Sequence, residues 1–337
     1  MKILVTGGLG FIGSHTVVEL QNDGYEVVVV DNLSNASLDV LDGIENITGM
    51  RPFFEEFDLR DKAKVRLFFQ KYTDIEGVIH FAASKAVGES VDEPLLYYEN
   101  NLVSLINILQ ELKKRRKGSF IFSSSCTVYG QADEMPISED AQVKPAESPY
   151  GNTKQVSEEI IRDTCKVCPM LNAIALRYFN PIGAHPSGKI GELPIGMPQN
   201  LVPFITQTGA GLRAQLSVFG NDYPTKDGTC IRDYIYVVDL ARAHVVALLR
   251  LLEGKNDSDY EVFNLGTGKG SSVLEVIQSF ERISGKKLNY EIIDRRAGDV
   301  VQAYANTTRA NEILGWKAEH DIDYAIKTAW EWQTRML

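Results

Sequence analysis

The chain has 337 residues, 44% hydrophobic and 24% charged, with a formal net charge of -10. That length suits two lobes sharing a cleft, and the acidic balance argues against a nucleic-acid partner. No apolar run is long enough to span a bilayer and no signal-type segment opens the chain, so a cytoplasmic protein that binds no membrane is expected.

The first strand is Lys2-Ile3-Leu4-Val5, and it runs into Thr6-Gly7-Gly8-Leu9-Gly10-Phe11-Ile12-Gly13. A helix over residues 14–22, ended by Gly24, and a strand over residues 26–30 follow, with Asp31 at the strand's end. Gly7, Gly10 and Gly13 serve a tight turn, close approach of backbone to a pyrophosphate, and close helix packing. The helix-start amides face the phosphates. A glycine pattern alone is weak, but the strand before, the helix after and the acid beyond make it a strong dinucleotide signal. Asp31 can accept from both ribose hydroxyls, and no arginine follows in Asn32-Leu33-Ser34-Asn35. NAD is therefore expected rather than NADP.

Strand ends recur after that. Residues 53–57 lead to Asp58-Leu59, and residues 77–81, ending in Phe81, lead to Ala82-Ala83-Ser84-Lys85. Asp58 either caps a helix beginning at Leu59 or holds an adenine amino group. The small residues after Phe81 suggest backbone lying against a cofactor. Helices over residues 94–116 and 150–168 separate the later strands. This alternation predicts an α/β fold, a doubly wound parallel Rossmann-type sheet with a smaller, interleaved α+β substrate lobe. The boundaries expected are residues 1–180 for the dinucleotide domain and 181–337 for the substrate lobe, with segments near 235–268 returning to the first.

The apolar strand Gly118-Ser119-Phe120-Ile121-Phe122 ends in Ser123-Ser124-Ser125. Hydroxyls there point into the crevice at the carboxyl edge of the sheet. Further on, Ser148 and Pro149 open a helix that carries Tyr150 and Lys154 four residues apart, on one face. A phenol titrates at about 10, so lowering it to roughly 7 takes about 4 kcal/mol. A lysine ammonium together with a second cation, such as an oxidised nicotinamide, could supply that. Tyrosine and lysine at this spacing are common by chance, and their weight comes from the dinucleotide site upstream.

Proline and glycine become frequent from Pro181 to Pro203. Asn200-Leu201 then opens a helix whose first amides could receive a diphosphate. Phe219 ends a strand and could face a uracil ring, and Arg232 and Arg296 are the candidates for phosphates. Each arginine read alone is a surface salt bridge. Residues 261–265 read as a strand returning to the sheet, and residues 321–332 as a closing helix with Trp330 buried. Of the four cysteines, Cys126, Cys165, Cys168 and Cys230, the pair Cys165 and Cys168 is expected to be reduced thiols on a helix. The five histidines suggest no metal site.

The chain resembles the UDP-galactose 4-epimerases of the extended short-chain dehydrogenase/reductase family over nearly its whole length. The likeness rests on residues 6–13, HFAASKAVGES at 80–90, FSSSCTVYG at 122–130, SPYGNTK at 148–154, LRYFNPIGAHPSG at 176–188, FGNDYPTKDGTCIRDYIY at 219–236 and NLGTG at 264–268. It implies that Tyr150 is the base, that Lys154 lowers its pKa and holds the nicotinamide ribose, and that Ser125 contacts the reacting sugar oxygen. Phe11, Ile12, Asp31, Asn32, Asp58, Leu59, Phe81, Ala82, Lys85, Asn100 and Phe179 match cofactor contacts. Lys85, Asn180, Asn200, Leu201, Phe219, Arg232, Arg296, Asp299 and Ala303 match UDP-sugar contacts. Related dehydratases add a carboxylate beside the hydroxyl, whereas this chain has Ser125-Cys126-Thr127, which favours epimerisation.

The resemblance thus implies C4 epimerisation of UDP-hexoses through a 4-keto intermediate on tightly bound NAD. A net dehydrogenase, another NAD-dependent sugar-nucleotide enzyme and a non-catalytic NAD-binding regulator remain the alternatives. A homodimer through the helices at 94–116 and 150–168 is also implied, with modest support from apolar Leu102, Leu105, Ile106 and Leu109. In the family the position of Ala303 lies against C2 of the hexose, where a small residue admits an N-acetyl group. If Tyr304 turned inward instead, it would close the pocket.

Overall fold

The computed structural model describes residues 1–115, 118–296 and 299–337. Six strands alternate with helices through the first half: β1 Lys2–Thr6, β2 Glu26–Asp31, β3 Phe53–Glu56, β4 Ile75–His80, β5 Gly118–Ser125 and β6 Leu171–Tyr178. They pair in parallel, and a seventh strand, Tyr260–Leu265, joins beyond β6. The spatial order is Tyr260–Leu265, β6, β5, β4, β1, β2, β3. Crossovers therefore run one way from β1 to β3 and the other way from β4 onward. The crevice beyond β1 and β4 is the switch point at which such sheets bind ligands.

The central strands read as continuous apolar runs because both faces are covered. Ile3, Leu4 and Val5 have no exposed surface, and neither do Val28 and Val29. On one face lie helix α1, Phe11–Asn22, and the helix Val237–Leu252; on the other lie Ser104–Leu112 and Pro149–Val167. A second sheet joins Gly270–Ser272, Ile231–Tyr236 and Gln302–Ala303, with Asn180–Ile182 also paired to Ile231–Tyr236. The strands Leu216–Phe219 and Tyr290–Ile293 form a parallel pair. The core around Val202, Ile205, Tyr234, Phe280 and Ile326 binds this part together.

Some expected details change. Helix α1 starts at Phe11 rather than Ser14, because Gly10, with extended backbone, is its N-cap. The expected helix from 94 is three segments: Pro94–Tyr98, a π-helical turn Glu99–Val103, and Ser104–Leu112; its expected last residue, Arg116, lies outside the described residues. The wide turn carries Asn100 and Asn101, whose side chains reach Ser84 and Thr153. Leu105 and Leu109 pack in the subunit's own core. Exposed apolar side chains on these segments and on the short helix Val87–Asp92 before them include Val87, Val91, Leu95, Leu96 and Val103. Asp58 does not cap the next helix. That helix begins at Lys62, capped by Asp61, while Asp58 takes the backbone amide and guanidinium of Arg60. Trp330 is half-buried rather than buried, edge-on to Phe280 and under the Lys286 ammonium.

Candidate active site

The turn after β1 is set by its glycines. Gly7 has φ +65°, and a Cβ there would lie 2.8 Å from the backbone N of Ala82. A Cβ on Gly13 would meet the Gly7 carbonyl at 2.2 Å, so α1 can pack this close only with glycine. The first helical bond of α1 runs from Ser14 N to Gly10 O at 2.9 Å, leaving the amides before it directed out of the helix end. Asp31 Oδ2 accepts from Leu9 N at 3.2 Å and Oδ1 from Leu33 N at 3.0 Å. Burial raises its pKa against those amides. A glycine cradle, a helix end and a carboxylate at the next strand's end fit a pyrophosphate flanked by a ribose.

Across the switch point, Phe81 N and Ala82 N donate to the backbone carbonyl and hydroxyl of Thr6. Thr6 Oγ1 is also 2.7 Å from His80 Nδ1. Asn100 Nδ2 donates to Ser84 Oγ at 2.9 Å, and Leu59 is buried with its carbonyl taken by Asn107. Arg60 bonds the Asp58 carboxylate and holds its pKa down, with a smaller lowering influence from Asn32.

β5 continues three residues beyond Phe122, so Ser123, Ser124 and Ser125 are strand residues facing alternate sides. Ser125 Oγ accepts from Thr127 N, turning the chain into a short 3₁₀ segment. The helix Pro149–Val167 is capped by Ser148, whose Oγ accepts from Gly151 N at 3.1 Å. Gln155 Nε2 donates to Val128 O and Lys144 O, pinning the intervening loop. Tyr150 is thereby brought to the end of β5, where the Ser125 hydroxyl lowers its pKa against the effect of burial. Lys154 Nζ donates to Ser123 O at 2.6 Å and lies 5.8 Å from the Tyr150 ring centre and 4.9 Å from that of Phe122.

With only the protein's own groups around them, neither partner favours its charged form. Burial pushes Tyr150 up to about 12, although Ser125 lowers it, and burial pushes Lys154 down to about 7, although Glu158 raises it. By the pH at which the phenol would ionise, the lysine has lost its proton. Lowering the phenol toward neutral pH requires more positive charge at this point than Lys154 alone brings.

The second group of expected residues also converges. Asp299 Oδ1 lies 3.4 Å from Arg232 and 2.9 Å from Arg296. Arg296 sits 5.7 Å over the ring of Phe219. Arg232 also donates to the carbonyls of Ile231 and Val300. Asn200 is the N-cap residue of Leu201–Gly209, with its side chain turned away to Glu192. Asn180 opens the short strand that follows Phe179, which is buried. Ala303 packs with Val128, Tyr129 and Phe179. Tyr304 meets a different neighbour, its ring closing over Gly270.

Sequence reasoning missed Glu192, Glu158 and Asp233. Glu192 Oε1 accepts from Asn200 at 2.7 Å and lies 3.4 Å from Lys85 Nζ, linking two expected residues. Nothing in the local sequence marks that link. Glu158 follows Lys154 by four residues, a spacing that was legible. Asp233 is fully buried and accepts from Thr267, Gly268 and Ala305, tying the NLGTG segment to the strand beside Ala303.

A model of the NAD dependent epimerase/dehydratase family matches residues 3–266. A UDP-glucose 4-epimerase from Bacillus subtilis (strain 168) is 50% identical over 99% of this chain and 97% of its own. The corresponding protein from Mus musculus is 47% identical over 98% and 96%. Among solved structures, a UDP-glucose-4-epimerase from Stenotrophomonas maltophila with bound NAD and formylated UDP-arabinopyranose is similar with a TM-score of 0.95. It is 45% identical and covers 100% of this chain and 98% of its own. A Bifidobacterium longum enzyme in complex with NAD+ and UDP gives a TM-score of 0.94 at 45% identity, over 99% and 98%.

Proposed function

This chain belongs to the NAD dependent epimerase/dehydratase family, and we propose that it inverts C4 of UDP-hexoses reversibly, interconverting UDP-galactose and UDP-glucose with NAD as cofactor. The observation that carries the proposal is the meeting of Ser125, Tyr150 and Lys154 at the end of β5, across the switch point from the glycine turn. When bound, NAD supplies a hydride acceptor and a positive charge on the nicotinamide. Gly7, Gly10, Gly13 and the amides of Phe11 and Ile12 hold its pyrophosphate; Asp31 takes the adenosine ribose. Asp58, Leu59, Phe81, Ala82, Lys85, Asn100 and Phe179 line the remainder.

Tyr150 Oη is the atom that takes the proton from the sugar 4-hydroxyl and later returns it, with Ser125 hydrogen-bonded to the same oxygen. Lys154 keeps a cation behind the phenol and holds a ribose. The 4-ketose must turn over between the two proton transfers. Its anchor is the uridine diphosphate, held by Asn180, Asn200, Leu201, Phe219, Arg232, Arg296 and Asp299. Remote binding energy retains the intermediate while the hexose stays mobile. Arg232 and Arg296 exchange part of their pairing with Asp299 for phosphate.

We further infer tolerance of the N-acetyl sugars, supported by the small side chain of Ala303. Residues 1–180 form the NAD-binding part and 181–337 the UDP-sugar part, with segments near 235–268 returning to the first, an interleaving supported by the pairing of Tyr260–Leu265 with β6. The protein works in the cytoplasm as a homodimer, paired chiefly through the helical run that begins at Pro94 and the helix Pro149–Val167, a pairing supported by the exposed Leu95, Leu96 and Val103. A monomer mass by light scattering at micromolar concentration would refute the pairing. No helix among the described residues is long and apolar enough to cross a membrane. The reaction itself is tested by incubating purified protein with UDP-galactose and no added NAD. UDP-glucose is expected, together with NAD(H) released on denaturing the protein; turnover that depended on stoichiometric added NAD would favour a net dehydrogenase.

A further inference from the structure

Behind the Tyr150–Lys154 pair lies a buried set of charges. Tyr150, Lys154 and Glu158 follow one another at steps of four along Pro149–Val167, which aligns them on one face. Glu158 is 2% exposed, and its carboxylate takes two bonds from Arg177 of β6, Nε at 2.9 Å and a terminal nitrogen at 2.6 Å. The same Oε1 accepts from Ser124 Oγ at 2.6 Å. Arg177 is itself braced by the face of the Tyr129 ring, 4.8 Å away. An ion pair this deep carries a desolvation cost that an apolar pair would avoid, so its stabilising value does not explain it.

What it accomplishes is local. Ser124 lies between Ser123, whose carbonyl receives Lys154, and Ser125, beside Tyr150. Fixing Ser124 therefore fixes both contacts at once. The titratable groups around Lys154 are Tyr150 and Glu158 on its own helix, His80 at the end of β4, and Tyr178 with Arg177 on β6; Tyr97 and Cys126 adjoin Tyr150. Burial keeps His80 neutral down to about 3 and raises all three phenols. Glu158 is then the one carboxylate in this set.

We infer that Glu158 is a positioning residue for the Tyr150–Lys154 pair, clamped by Arg177 so that its carboxylate fixes Ser124 and supports the Lys154 ammonium from one turn along the helix. The inference rests on the role proposed above for Lys154. The carboxylate is shared between two cations: Arg177 holds it by direct bonds and Lys154 feels it through the protein. Removing its charge should make the ammonium harder to keep. Removing the Arg177 charge should do the reverse, because Lys154 becomes the remaining counter-ion.

The test reads Lys154 directly, by NMR titration of its Nζ in protein labelled with ¹⁵N-lysine, the signal assigned with Lys154→Arg. In Glu158→Gln the midpoint should fall by about one pH unit, and the alkaline limb of UDP-galactose turnover should fall with it. In Arg177→Gln the midpoint should rise. A folded Glu158→Gln with an unmoved midpoint would overturn the inference. If that variant does not fold, Arg177→Gln decides alone, and an unmoved or lowered midpoint there overturns it equally. Failure of the unaltered protein to convert UDP-galactose would instead strike the functional reading, leaving the Nζ titration interpretable.

Discussion

The Lys154 ammonium donates to the Ser123 carbonyl at 2.6 Å, two residues before the hydroxyl that neighbours Tyr150. The cation nearest the phenol is thus held by the strand that carries Ser125, and base and charge keep a fixed relation. Lys154→Ala is expected to lower turnover by about a hundredfold or more. It should also shift the acidic limb of the pH profile upward, because losing a cation raises the phenol's pKa. The check is turnover of UDP-galactose across pH in both proteins; an unmoved acidic limb would remove Lys154 from this role.

Three histidines give a pH dependence of stability. Burial lowers His15 and His80 to about 3 and His244 to about 4. The unfolded chain takes up these protons near 6.5, whereas the folded protein refuses them until much lower pH. Their contribution is complete above about 6.5 and is lost as pH falls toward about 3. Tm should therefore decline steadily over that window, and a flat Tm between about pH 6.5 and 4.5 would contradict the burial of neutral imidazoles.

Ala303 ends its short strand and Tyr304 follows it, and the two side chains meet different neighbours. Ala303 faces Phe179 and Val128, and Tyr304 covers Gly270. The expectation that a slipped register could close the pocket with Tyr304 is not met. Turnover of both UDP-galactose and UDP-N-acetylgalactosamine is expected. Ala303→Tyr should lose the second selectively, by roughly tenfold to a hundredfold, through overpacking. Equal turnover of the two sugars by Ala303→Tyr would refute the open-pocket argument.

Local features of the site were legible because each has a local cause. The glycine turn, the acid at the end of β2, the Ser148 cap and the four-residue step from Tyr150 to Lys154 all follow from backbone geometry. What depends on distant segments was not. The π-helical turn at Glu99–Val103 answers to Ser84 and Thr153, and no apolar period signals it. Leu105 and Leu109 have the spacing of an interface face, yet the same spacing serves an internal core. The Glu192 link joins Lys85 to Asn200 across more than a hundred positions of sequence. The expectation that the phenol needs a second cation besides Lys154 came from its ordinary pKa, whereas the further rise that burial imposes on Tyr150 depends on the tertiary fold.

The central claim is that Tyr150 Oη moves the proton of the sugar 4-hydroxyl. Tyr150→Phe keeps the ring and its packing and removes only that oxygen. The most direct measurement is the NMR time course of UDP-galactose with Tyr150→Phe beside the unaltered protein, no NAD being added to either. The account predicts conversion to UDP-glucose by the unaltered protein and a rate lower by about a hundredfold or more in the variant, with UDP-sugar binding retained by calorimetry. Near-normal conversion by Tyr150→Phe would contradict it.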